Sequence, residues 1–79
     1  MRKMKSETDK EKFKRLASKR VQRALQSMKL IGNLSNKSNY EYTEEDVKKI
    51  LKALQDELNA CRKKFEFATK RRDRVKFTL

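Results

Sequence analysis

The chain contains no histidine, no proline, no tryptophan and one cysteine among its 79 residues. Without histidine, neither a Ser-His-Asp triad nor a Cys/His zinc cage can be built, and one cysteine cannot form a disulfide framework. The sequence also lacks a glycine-rich phosphate loop and a cleft with paired carboxylates. It therefore predicts a protein that is not an enzyme and that binds no metal and no cofactor.

Long apolar runs are also missing. No stretch approaches 18 consecutive apolar residues, and residues 1–14 lack the apolar segment of a signal peptide. We therefore expect neither a membrane span nor a signal peptide. One cysteine without an export signal is typical of a reducing compartment, so we expect a cytoplasmic protein.

Gly32 is the only glycine and separates two runs that are compatible with helix. In the first run, apolar residues recur every three or four positions, which is the period of one helix face. These residues are Phe13, Leu16, Ala17, Val21, Ala24, Met28 and Ile31. Gly32 then falls where a left-handed residue commonly ends a helix. The pattern predicts a first helix over about residues 7–31, starting near Ser6 or Thr8.

The next segment, NLSNKSNYEY, has no helical period. Asn and Ser side chains bond to nearby backbone groups and favour turns, so we expect a long loop over residues 32–43. Its asparagines are expected to hold the loop together, and direct contact with a base or a partner is the alternative.

Thr43 and Asp46 have the spacing of a capping box, which marks the start of a second helix. Behind it, apolar residues alternate four- and three-residue steps as in a heptad seam. This α2 seam consists of Val47, Leu51, Leu54, Leu58, Cys61, Phe65 and Ala68. The pattern predicts a helix over about residues 44–73, with the Cys61 thiol buried in the seam. A basic tail over residues 74–79 continues the helix or alternates as an edge strand would.

Two amphipathic helices in 79 residues predict an all-α fold, an antiparallel two-helix hairpin forming a single domain over residues 1–79. One hairpin cannot cover all of the apolar side chains. We therefore expect a homodimer that forms a four-helix bundle. The alternative is a monomer whose tail or loop folds over the seam.

The net charge of +12 is distributed unevenly along the chain. Residues 1–33 carry 11 basic and three acidic side chains, residues 34–59 carry four and six, and residues 60–79 carry eight and two. In an antiparallel hairpin both basic blocks would meet at the open end, so we expect an electrically polarised molecule.

Several basic residues share a helix face. Lys12, Arg15, Lys19 and Arg23 line the first helix opposite its apolar residues, and we call them the α1 basic stripe. On the second helix Lys63, Lys70 and Arg74 point outward beside Phe67, with Arg71 and Arg72 in support. Such surfaces favour phosphate contacts, and Phe67 suits stacking or a protein partner. The alternative is a solvated surface that serves only solubility.

The stretch LIGNLSNKSNYEYTEEDVKKI, with its GNLSN and YEYTEEDV strings, resembles a signature of small, uncharacterised helical proteins of bacterial mobile elements. In those proteins a run similar to FKRLASKRVQRAL precedes the loop. The resemblance covers Phe13 to Phe65 and brings no established activity. It implies a bacterial or phage setting, where small proteins include inhibitors of host defence nucleases.

Two hypotheses follow. The first is a small nucleic-acid-binding accessory protein whose basic residues contact the phosphate backbone with little sequence specificity. The second is an inhibitor or adaptor that docks its basic end and Phe67 on a nucleic-acid-binding protein complex.

Overall fold

The computed structural model describes residues 7–76, and it describes side chains for residues 7–70. Within this range the chain forms two α-helices and no strand. Helix α1 covers Asp9–Asn33 and helix α2 covers Glu44–Lys76. The predicted all-α class is confirmed. The chain divides into two units between Glu41 and Tyr42, so each unit contains one helix.

Helix α1 begins with a capping box that fixes its first turn. The Thr8 hydroxyl accepts a hydrogen bond from the Glu11 backbone N–H at 3.1 Å, and the Glu11 carboxylate accepts one from the Thr8 N–H at 3.0 Å. These bonds satisfy two of the N–H groups that lack partners at a helix start. The helix therefore starts at Asp9, two residues later than the predicted start near residue 7.

Gly32 does not end α1, which corrects the prediction from its position. The helix continues to Asn33, and no residue in the described range has a positive φ. Instead, the Leu34 N–H donates to the Ile31 carbonyl and the Ser35 N–H to the Gly32 carbonyl, both at 3.0 Å. Because these short-range bonds satisfy the last carbonyls, no left-handed residue is needed.

The segment between the helices covers residues 34–43, two residues fewer than predicted. Asn36 organises it: the side-chain Oδ1 of Asn36 accepts from the Ser38 N–H at 3.0 Å. The Asn36 carbonyl also accepts from the N–H groups of Asn39 and Tyr40, at 3.1 and 3.0 Å. The structural role predicted for the asparagines is thus confirmed for Asn36.

Helix α2 starts where the capping box predicted. The Thr43 hydroxyl accepts from the Asp46 N–H at 3.0 Å, and the Asp46 carboxylate accepts from the Thr43 N–H at 2.9 Å. The helix runs for 33 residues to Lys76, or about 50 Å at 1.5 Å per residue.

The basic tail does not begin at residue 74 as predicted, because residues 74–76 belong to α2. Nothing in the sequence DRVK breaks a helix, and positive charge at this end complements the helix dipole. Residues 77–79, on which the edge-strand alternative depended, lie outside the described residues.

The apolar stripes of both helices are exposed over most of their residues. No side chain of residues 7–70 is fully buried, and Leu51, Leu58 and Phe65 of the α2 seam are each more than half exposed. Cys61 is exposed as well, so the prediction of a buried thiol is wrong. No helix in the described part of the chain is long and apolar enough to cross a lipid bilayer.

Candidate nucleic-acid interface

The α1 basic stripe lies on one side of α1. Its four residues are spaced by three, four and four positions, which places them within about 80° of one another around the helix axis. All four side chains are exposed. The stripe therefore forms a row of cations along three turns of α1, as the sequence predicted for its positions.

Arg15 is not a bare cation within this row. Its Nε donates to Glu7 Oε2 at 2.9 Å and its Nη2 donates to Glu7 Oε1 at 3.0 Å. This is the two-pronged geometry with which arginine binds carboxylates and phosphates. Glu7, which precedes the helix, therefore places a carboxylate against one cation of the stripe.

The ion pair shifts the pKa of both partners. The hydrogen bond from Arg15 is the main cause that lowers the pKa of Glu7, and the charges of Arg15 and Lys12 lower it further. The same bond raises the pKa of Arg15. Glu7 therefore remains ionised at neutral pH, and it offsets one positive charge at the first part of the stripe.

The pairing of Glu7 with Arg15 does not follow from helical spacing. Side chains three or four positions apart meet on a helix surface, whereas Glu7 and Arg15 are eight positions apart. Glu7 precedes the capping residue Thr8, where the chain is extended and a side chain reaches further along the helix. The TDKE capping box was the available signal, because it places the helix start just after Glu7.

The other three cations of the stripe are not paired with a carboxylate in the described part of the chain. Within residues 7–70, Lys12, Lys19 and Arg23 form no ion pair. Three exposed cations of the stripe thus remain available for contact with an anion.

A second cationic surface surrounds Phe67 on α2. The Phe67 side chain is 60% exposed and lies on the side of the helix away from the α2 seam. Lys63 lies four positions before Phe67, Lys64 lies three positions before it, and Lys70 lies three positions after it. All three lysines are exposed. We call Lys63, Lys64, Phe67 and Lys70 the α2 basic patch. Lys64 was not among the predicted site residues, although its spacing from Phe67 could have identified it.

The remaining predicted site residues follow the patch along α2. Arg71, Arg72 and Arg74 belong to α2, and their side chains lie outside the described residues. Arg71 and Arg74 follow Phe67 by four and seven positions, which are the spacings of one helix face. Arg72 has the spacing of the α2 seam.

Upstream of the patch, α2 carries side chains that satisfy one another. Lys52 forms an ion pair with Asp56 at 3.1 Å. The Asn59 Oδ1 accepts hydrogen bonds from Gln55 at 3.3 Å and from Arg62 at 3.2 Å. Asn59 is neutral, so Arg62 keeps its positive charge, and the net positive charge of α2 is concentrated from Arg62 onward.

The two surfaces present exposed cations, which are the groups that contact anions. Among the residues that the structure describes, no group of acidic or cysteine side chains comes together as metal ligands. No protein-family model, no curated protein and no solved structure matches this chain.

Proposed function

We propose that this protein is a small, non-catalytic nucleic-acid-binding protein that contacts the phosphate backbone with little sequence specificity. The observation that carries the proposal is the row of exposed cations Lys12, Lys19 and Arg23, which have no carboxylate partner in residues 7–70. Rows of this kind bind polyanions because each phosphate contact releases a condensed counterion. Such contacts supply affinity and leave base sequence unread.

The proposal includes an arrangement of the helices. In an antiparallel hairpin, the start of α1 and the end of α2 would lie together and join the two basic regions. The exposed seam side chains support association of two such hairpins into a four-helix bundle, because apolar faces of this length favour burial against a partner. Light scattering at several concentrations measures this directly: twice the chain mass supports the dimer, and a constant monomer mass contradicts it.

A salt titration tests nucleic-acid binding. Affinity for a short duplex should fall steeply between low and physiological salt. For three phosphate contacts, a plot of the logarithm of the binding constant against the logarithm of the salt concentration should have a slope of about −2.7 or steeper. A single strand should give a shallower slope for the same contacts, since each contributes about −0.7. Absence of binding to both at low salt would overturn the proposal.

The second candidate function is an inhibitor or adaptor that binds a nucleic-acid-binding protein complex, in a bacterial or phage setting. The exposed Phe67 and seam residues favour it, because exposed aromatic and aliphatic side chains anchor protein interfaces. The same titration separates the two functions. Binding lost entirely at about 0.15 M salt favours the protein partner, whereas measurable binding there favours nucleic acid.

A further inference from the structure

The exposed ring of Phe67 is the unusual feature of the α2 basic patch. Phenylalanine is commonly buried, because its side chain stabilises a fold by leaving water. Phe13 and Phe65 are exposed to a similar degree on the apolar faces of their helices. The Phe67 ring, 60% exposed, differs from them because it lies on the side of α2 away from the seam and does not contribute to the apolar stripe. An apolar ring at this position suits a ligand with a flat apolar face, against which the ring can stack.

The neighbours of Phe67 narrow the choice of ligand. On a helix, each residue is flanked by the residues three and four positions away, at about 5–6 Å between Cβ atoms. For Phe67 these four positions are Lys63, Lys64, Lys70 and Arg71, and every one of them is basic. The ligand that matches this surface carries negative charge on several sides of one flat apolar group.

Unpaired nucleotides have this composition. A base provides the flat face, and the phosphates on either side of it provide the negative charge. Proteins that bind single strands combine basic surfaces with aromatic rings on which bases stack. In a duplex the base faces are already stacked on one another, so an aromatic ring reaches them only by unstacking a base step, which costs a few kcal/mol.

We propose that the α2 basic patch binds single-stranded nucleic acid, with one base stacked on Phe67 and the flanking phosphates held by Lys63, Lys64 and Lys70. This inference rests on the proposed nucleic-acid-binding function and names its substrate class. It assigns the α1 basic stripe and the α2 basic patch different tasks, because only the patch contacts a base.

The test compares three ligands of equal length: an oligothymidine strand, an abasic strand with the same phosphates, and a duplex. Phe67→Ala should weaken binding of oligothymidine about 5- to 150-fold, the range for loss of one stacked base. It should leave the abasic strand and the duplex nearly unchanged. Phe67→Leu keeps an apolar side chain without a ring, so it should lose affinity for oligothymidine almost as severely.

Tryptophan fluorescence provides a direct reading of stacking, because the natural chain contains no tryptophan. In Phe67→Trp, oligothymidine should quench the new indole, and the abasic strand should not. Tyr40→Trp serves as the control, since Tyr40 is also exposed but lies in the segment between the helices. Its emission should change little with either strand.

The outcomes separate this inference from the proposed function. If the wild-type protein binds none of the three ligands, the proposed function fails and the inference fails with it. If all three bind and Phe67→Ala weakens none selectively, or Phe67→Trp is not quenched, the inference is overturned while the proposed function stands. Circular dichroism of each variant checks that α2 is intact, and substitution of an exposed side chain is expected to preserve it.

Discussion

The α1 basic stripe and the α2 basic patch carry similar charge in different surroundings. The stripe spreads four cations along three turns, and one of them, Arg15, is paired with Glu7. The patch gathers three lysines around the exposed ring of Phe67. Charge alone therefore does not define what a basic helix binds. A carboxylate pairs with one cation near the start of the stripe, whereas the lysines of the patch flank an aromatic ring, so the two surfaces offer different groups to a ligand.

The largest effect is expected from reversing charge in the stripe. The double variant Lys19→Glu, Arg23→Glu should reduce affinity about 100-fold near 0.1 M salt, because each phosphate contact contributes roughly tenfold there. Duplex and single strand should lose affinity to a similar degree, unlike the selective loss expected for Phe67→Ala. Fluorescence anisotropy across a salt series measures both the affinity and the slope.

The matched control for this double variant is Lys48→Glu, Lys49→Glu. It changes the net charge equally, but it lies in the first turns of α2, where acidic residues predominate. Its binding should stay within a few-fold of the wild type. Equal losses of affinity in both double variants would show that only the net charge matters and that the α1 basic stripe has no specific role.

A smaller effect is expected from removing Glu7. In Glu7→Gln the Arg15 guanidinium loses its carboxylate partner and becomes available to a phosphate, so affinity should rise about tenfold, the worth of one contact. Glu41→Gln is the control, because it removes one negative charge from a residue that forms no ion pair within residues 7–70. A rise of the same size in the control would contradict a specific role for Glu7.

The same ion pair makes a prediction about pH. Because Arg15 lowers the pKa of Glu7, their interaction is present at neutral pH and is lost as the pH falls through that lowered pKa. The difference in affinity between the wild type and Glu7→Gln should therefore disappear at acidic pH, where the Glu7 carboxylate is protonated. Replacing Arg15 with Gln should raise the pKa of Glu7, which an NMR titration of its carboxyl group can follow.

Stability changes at the two capping boxes are expected to be about 1 kcal/mol each. Thr8→Ala and Thr43→Ala each remove a hydroxyl that accepts a backbone hydrogen bond at the start of a helix. Thermal unfolding followed by circular dichroism should give a lower free energy of unfolding for both variants. Thr→Ser at the same positions retains the hydroxyl and should restore most of the loss.

The smallest expected effect is a gain. Gly32→Ala should raise the free energy of unfolding by about 0.5–1 kcal/mol, because alanine loses less conformational freedom than glycine within a helix. An added Cβ at Gly32 meets nothing within 4 Å, so no clash opposes this gain. Destabilisation by Gly32→Ala would indicate that Gly32 adopts a left-handed conformation and ends the helix.

Some of the features that these variants test could be predicted from the sequence, and others could not. The two helices and the Thr43 box were predictable because they depend on apolar spacing and on side chains three positions apart. The positions of the α1 basic stripe followed from helical period in the same way. Gly32 was misassigned because the type of residue does not determine whether short-range backbone bonds close the helix.

The interaction of Glu7 with Arg15 depends on a different kind of information. A residue before a helix has no fixed angular position, so its reach cannot be derived from the helical period. The exposure of Cys61 was missed for a related reason. Its place in the seam reveals that it is on the apolar face, but not whether that face is covered.

The paired capping boxes have a consequence for the kinetics of folding. Starting a helix is the slow step in its formation, and elongation then takes about a nanosecond per residue. Because Thr8 and Thr43 each complete their boxes within four residues, each helix has its own nucleus close by in sequence. We expect both helices to form transiently within microseconds of synthesis, without waiting for the rest of the chain. In the proposed dimer, the rate at which the exposed apolar stripes of two chains meet would then depend on protein concentration, so assembly should accelerate as the chain accumulates.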